Sequence, residues 1–126
     1  MDKAASKKVR AAAKSWLTRA DTALKSALNT MTNVMTTVPS AIAMEKKKME
    51  IALREFDVRL NAYDAAQHQV ELVLEEDEIE ADIVTVGVYR DGVMDTRVQV
   101  ELALERMNPQ NPSLCDDALS SASRSS

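Results

Sequence analysis

Few residues in this chain could do chemistry, and their spacing is poor for it. The one histidine, His68, follows Gln67 inside a helical pattern, and the one cysteine, Cys115, lies in a tail rich in proline and serine. A metal centre needs such residues at ligand spacing with further Cys, His or carboxylate groups. Nucleophilic Cys–His or Ser–His–Asp chemistry needs them in a rigid pocket, which a narrow helical bundle seldom offers. The acidic run Glu71, Glu75, Glu76, Asp77, Glu78, Glu80 and Asp82 contains no base. It lacks the glycine and the ligand order of a calcium-binding loop, so it reads as a solvated helix start. Two glycines cannot build a phosphate-cradling loop. The sequence points to no enzyme, no cofactor, no metal and no small-molecule substrate.

The totals favour helices. The chain has 126 residues, 45% hydrophobic and 29% charged, with two Gly, three Pro and the aromatics Trp16, Phe56, Tyr63 and Tyr89. A core of Ala, Leu, Val, Ile and Met with so few turn-formers suits long helices with short connections. No apolar run reaches the roughly 20 residues that span a bilayer. A single cysteine and the lack of a secretory hydrophobic core indicate a reducing, cytoplasmic compartment. The basic start (Lys3, Lys7, Lys8, Arg10, Lys14 and Arg19 against Asp2 alone) also fits a mitochondrial presequence as an alternative.

The elements follow from spacing. Met49, Leu53, Phe56, Leu60, Tyr63, Val70 and Leu74 fall at alternating steps of four and three, interrupted only at Gln67. That keeps one seam of a helix facing a partner helix. Glu50, Arg54, Glu55, Asp57, Arg59, Asn61 and Asp64 lie between them and can stay in water. A second line, Leu17, Ala20, Leu24, Ala27, Met31, Val34 and Val38, has the same period, and Trp16, Leu28 and Met35 widen it. Ala20 and Ala27 let a partner axis approach closely. Pro39 stops the first helix and Ser40 is a usable cap for the second. Carboxylates favour a helix N-terminus, so the acidic run is read as a break near Glu75 with a new helix capped by Asp77.

Residues 82–104 carry two patterns. Ile83, Val86, Val93, Val100 and Leu104 share a helical stripe with Ile79 and Met107, interrupted by Arg90 and Arg97. Val84, Val86 and Val88 alternate, Asp91-Gly92 is a hairpin dipeptide, and Val98, Val100, Leu102 and Leu104 alternate again. An isolated hairpin is marginal, and the first two helices need a third apolar surface, so helix is preferred. Gly87 and Gly92 would make it the softest of the three, at about 1 kcal/mol each against alanine. The expected fold is all-α: an antiparallel three-helix coiled-coil bundle over ~3–38, ~40–75 and ~78–107. The alternative is a long helical hairpin with a small β-hairpin near 82–104. A helical domain over 1–107 is followed by a flexible tail over 108–126.

In an up–down–up bundle the first helix begins beside the corner joining the other two. Lys7, Lys8, Arg10, Lys14 and Arg19 then lie near Glu75, Glu76 and Glu78, either as an internal electrostatic corner or as a partner-binding face. The same basic helix could touch nucleic acid, but its only aromatic is Trp16 and the net charge is −4.

Some of these residues form a familiar order: Arg10, Lys14, Leu17, Thr18 and Arg19; then Phe56; then Ala66, Gln67, Val70 and Glu71; then the acidic patch Glu75–Glu80; then Tyr89. Over about residues 7–104 this resembles the N-terminal helical region of Pao/BEL-type retrotransposon polyproteins, with a serine-rich linker following in both. The threonines of 30–37 and the glycines at 87 and 92 depart from that pattern. The resemblance implies a Gag-like segment acting in self-association and particle assembly, within a longer polyprotein or as a domesticated remnant. The sequence-based expectation is a structural self-association module, or alternatively an adaptor whose basic helix meets an acidic protein or nucleic acid.

Overall fold

Asp2 starts the first helix. Its Oδ1 accepts the backbone N–H of Ala5 at 2.7 Å, occupying one of the donors that a helix start leaves free. The computed structural model describes residues 2–34 and 39–107. Three helices account for almost all of them: α1 (Lys3–Val34), α2 (Pro39–Val73) and α3 (Glu76–Met107). The sites at Met35, Val38 and Cys115, the tail 108–126, and the side chain of Val34 lie outside the described residues.

Pro39 is the first residue of α2, where its missing N–H costs nothing. Ser40 is therefore inside the helix rather than its cap. The cap of α3 is also displaced from expectation. The helix begins at Glu76, so Asp77 sits in its first turn and Glu75 takes the cap position. Glu78 explains the shift: its Oε1 reaches back to accept the Glu75 N–H at 2.9 Å, as the glutamate of a capping box does. Glu76, Asp77 and Glu78 in the first turn and Arg106 in the last both suit the helix dipole.

Cross-helix pairs fix the topology. Lys3 meets Glu78, Arg10 meets Asp82, and Thr18 meets Tyr89, so α1 and α3 run parallel. Arg10 also meets Gln67, while Arg90 and Arg97 meet Asp64 and Asp57, so α2 runs against both. The fold is an all-α, up–down–up three-helix bundle. Among the described residues there is no strand, and 82–104 lies wholly within α3.

The core follows the 4-3 lines. Leu17, Leu24, Met31, Met49, Phe56, Tyr63, Val70 and Val100 are all 0–1% exposed, and Leu60 is 7%. Leu53 and Leu74 lie at the margin, partly buried. Leu28, like Ala13 and Ala27, packs against the core from its edge. α1 and α2 pack most closely, as the small side chains Ala13, Ala20 and Ala27 on the shared face of α1 allow. From α3 only Val93, Thr96 and Val100 are buried, and Ile83 is 49% exposed. Trp16 does not widen the stripe. It is 50% exposed and lies under Arg59, whose guanidinium carbon is 4.4 Å from the indole centroid.

Candidate functional site

The residues expected to interrupt the packing lines form the polar framework of the bundle. Gln67, 7% exposed, sits at the junction of all three helices. Its carbonyl accepts Arg10 Nη1 at 2.6 Å, and its amide donates to Asp82 Oδ2 at 2.9 Å and Glu71 Oε2 at 3.0 Å. Arg10 Nη1 also donates to both Asp82 oxygens, at 2.9 and 2.8 Å. The Asp82 carboxyl is set by opposing effects: burial alone would raise its pKa, but the hydrogen bonds from Gln67 and Arg10 outweigh it and hold the group below its usual value.

Further along α3 the same device repeats. Arg90 grips Asp64 with two parallel hydrogen bonds of 3.0 and 2.9 Å, and Arg97 grips Asp57 at 2.7 and 3.0 Å. These fork-to-fork pairs are geometrically specific. They raise the pKa of both arginines, first through the hydrogen bonds themselves. Asp57 and Asp64, expected to stay in water, are struts between α2 and α3. Periodicity cannot reveal such pairs, because the partners lie 40 and 26 residues away in sequence.

The basic and acidic residues at the start of the bundle divide in role. Lys3 Nζ donates to Glu78 Oε1 at 2.8 Å, so one carboxylate serves both the α3 start and α1. That hydrogen bond raises the Lys3 pKa and lowers that of Glu78. Lys7 is exposed, and its charge lowers the pKa of both Glu78 and Asp82. Lys14 turns to Tyr89 instead, its Nζ 4.7 Å from the ring centroid, while Tyr89 Oη donates to the Lys14 carbonyl at 3.3 Å. Lys8, Arg19, Glu75 and Glu76 are exposed and form no ion pair with any described residue. Tyr63 and Tyr89 meet edge to face at 5.4 Å. Burial raises both phenol pKa values, with Thr18's hydrogen bond pulling Tyr89 partly back.

Shallow grooves follow the helix junctions. One, lined by Lys7, Arg10, Lys14, Asp82 and Tyr89, has its charge already balanced by the Arg10–Asp82 pair. Another contains the exposed His68 beside Asp64, Glu71 and Arg90. No group of three or more His, Cys, Asp or Glu that could hold a metal ion exists among the described residues, and none of their helices is long and apolar enough to cross a membrane.

The outer faces are less ordinary. On α2, Met44, Ile51, Val58 and Leu72 are 52–65% exposed and share one heptad line. On α3, Val84, Val88, Val98 and Leu102 are 45–72% exposed. Such rows are characteristic of surfaces that meet another chain. The inward seam of each helix does not reveal these outer rows; their signal in the sequence is the seven-residue spacing of Met44, Ile51 and Val58, continued at Leu72. No family model matches the chain, no curated protein matches its sequence, and no solved structure matches its fold.

Proposed function

We propose that this chain is a non-enzymatic structural module that works by self-association through helix faces. The observation that supports this reading is the row of large apolar side chains facing solvent on α2 and α3 of a bundle whose core is already filled. A Gag-like assembly role, as implied by the Pao/BEL resemblance, is the finer form of the same reading, and its setting is cytoplasmic. Light scattering on a sizing column tests it. Mass should rise with loading concentration, and a strict monomer at high concentration would remove the reading. The adaptor reading is weaker, because Arg10 and Lys14 are engaged within the bundle and leave, on α1, Lys7, Lys8 and Arg19 as the bases without such a contact among the described residues. Binding to labelled RNA that falls steeply with salt would favour it instead.

A further inference from the structure

The outer faces of α2 and α3 differ in sign. On α2, Met44, Lys47, Ile51, Arg54 and Val58 follow one another at steps of three and four, all exposed. On α3, Val84, Val88, Asp91, Asp95, Val98 and Leu102 do the same, also all exposed. Each face is thus an apolar row with two like charges at its middle, cationic on α2 and anionic on α3. None of Lys47, Arg54, Asp91 or Asp95 has an ion-pair partner among the described residues. Of the acids near Lys47 and Arg54, Glu55 is held by Arg59 at 2.6 Å and Asp57 by Arg97 at 2.7 Å, while Glu50 is half-buried beside them.

We infer that the occupant of the α2 face is the α3 face of a second copy of this chain. The inference rests on the self-association reading above and makes it specific. Pairing α3 with α3 would set Asp91 and Asp95 against Asp95 and Asp91, which like-charge repulsion opposes. Pairing α2 with α3 places both aspartates within reach of Lys47 and Arg54, with valines, Ile51 and Leu102 closing around them. Each copy then offers one face of each kind, so the contact closes either reciprocally, α2 on α3 and α3 on α2 in a two-fold dimer, or head-to-tail in a ring or an open filament.

The contact is small. Val84 to Leu102 rises about 27 Å along the helix, and a strip about 10 Å wide gives roughly 600 Å² over both partners, below the ~1,200 Å² of a stable complex. Association should therefore be weak, concentration-dependent and salt-sensitive.

The test is charge exchange on the intact chain, with circular dichroism and thermal melting confirming that each variant folds. K47E/R54E and D91K/D95K should each weaken association roughly ten-fold, seen as a lower mass by light scattering at equal concentration. The quadruple variant K47E/R54E/D91K/D95K should regain wild-type association, because the two signs are only exchanged. If the double variants associate as the wild type does, or the quadruple variant stays dissociated, the α2–α3 contact is wrong while self-association stands. A paired α2–α2 interface would make the quadruple variant associate as K47E/R54E does, and D91K/D95K as the wild type does. A wild-type chain that stays monomeric at every concentration removes both readings together.

Discussion

Replacing Arg10 with methionine removes the guanidinium while keeping most of the apolar stem in place. The side chains of Arg10 and Asp82 are 18% and 16% exposed, so their pair is largely shielded. The substitution deletes the bonds to both Asp82 oxygens and to the Gln67 carbonyl, and leaves Asp82 with Gln67 as its remaining partner. Breaking one side of a fully buried pair costs about 3–5 kcal/mol. A single charged hydrogen bond contributes about 1.5–3 kcal/mol. With some water access here, about 2–3 kcal/mol is expected, a fall in Tm on the order of 10 °C for a domain of this size. Urea unfolding should show this loss, and 1 M salt should change it little, because a shielded pair is poorly screened. R10M/D82L should recover much of the stability, since removing both partners leaves no stranded charge. A loss under about 0.5 kcal/mol, or a double variant that is simply additive, would refute the claim that this junction locks the three helices together.

Phe56 is fully buried at the middle of α2, so Phe56→Ala should cost about 3–5 kcal/mol in urea unfolding. Ser6 is 1% exposed and its hydroxyl has no hydrogen-bond partner, so Ser6→Ala should be neutral or stabilise by up to about 1 kcal/mol. Stability should also depend on pH at both ends. Glu78 and Asp82 have lowered pKa values when folded, so their contribution is complete above the ordinary carboxylate value of about 4 and is lost as pH falls through the folded values. Lys3, Tyr63 and Tyr89 have raised values, so theirs is complete below about pH 10 and is lost as pH rises beyond it. Melting across pH should give a plateau between these limbs, and Asp82→Asn should flatten the acid one.

What the sequence made legible was the inward seam. Leu17, Leu24, Met49, Phe56 and Tyr63 are buried because a 3.5-residue period selects one line of a helix. The polar framework was illegible for the same reason. Gln67, Arg90 and Arg97 look like gaps in a line of apolar residues until their partners on another helix are known. The hairpin signal in 82–104 has a physical origin too. Alternation at Val84, Val86 and Val88 arises because Val84 and Val88 face solvent on α3 while Val86 packs against the core. A helix that is apolar on two faces mimics a strand in a short window. The misplaced α3 cap shows the weight of a side-chain contact three residues on: glutamate is a poor cap by type, yet Glu78 makes position 75 the start.

The two halves of the bundle are held by different forces, and this sets the order in which it should open. α1 and α2 approach closely through alanines and share a dense apolar seam. α3 adds only Val93 and Val100 as buried apolar residues, and Arg90 and Arg97 carry much of its link to α2. Pairs as exposed as Arg90–Asp64, at 41% and 39%, contribute at most about 1 kcal/mol each. Gly87 and Gly92 weaken α3 further, by about 1 kcal/mol each against alanine. Both would accept a methyl group, since an added Cβ would meet nothing within 4 Å. Hydrogen exchange under native conditions should find α3 amides opening at lower free energy than those at the centre of α1 and α2. G87A/G92A should raise the α3 opening energy by up to about 2 kcal/mol while moving the α1–α2 amides less. Equal protection in all three helices, or a glycine effect confined to α1 and α2, would show that α3 is locked as firmly as the hairpin it rests on.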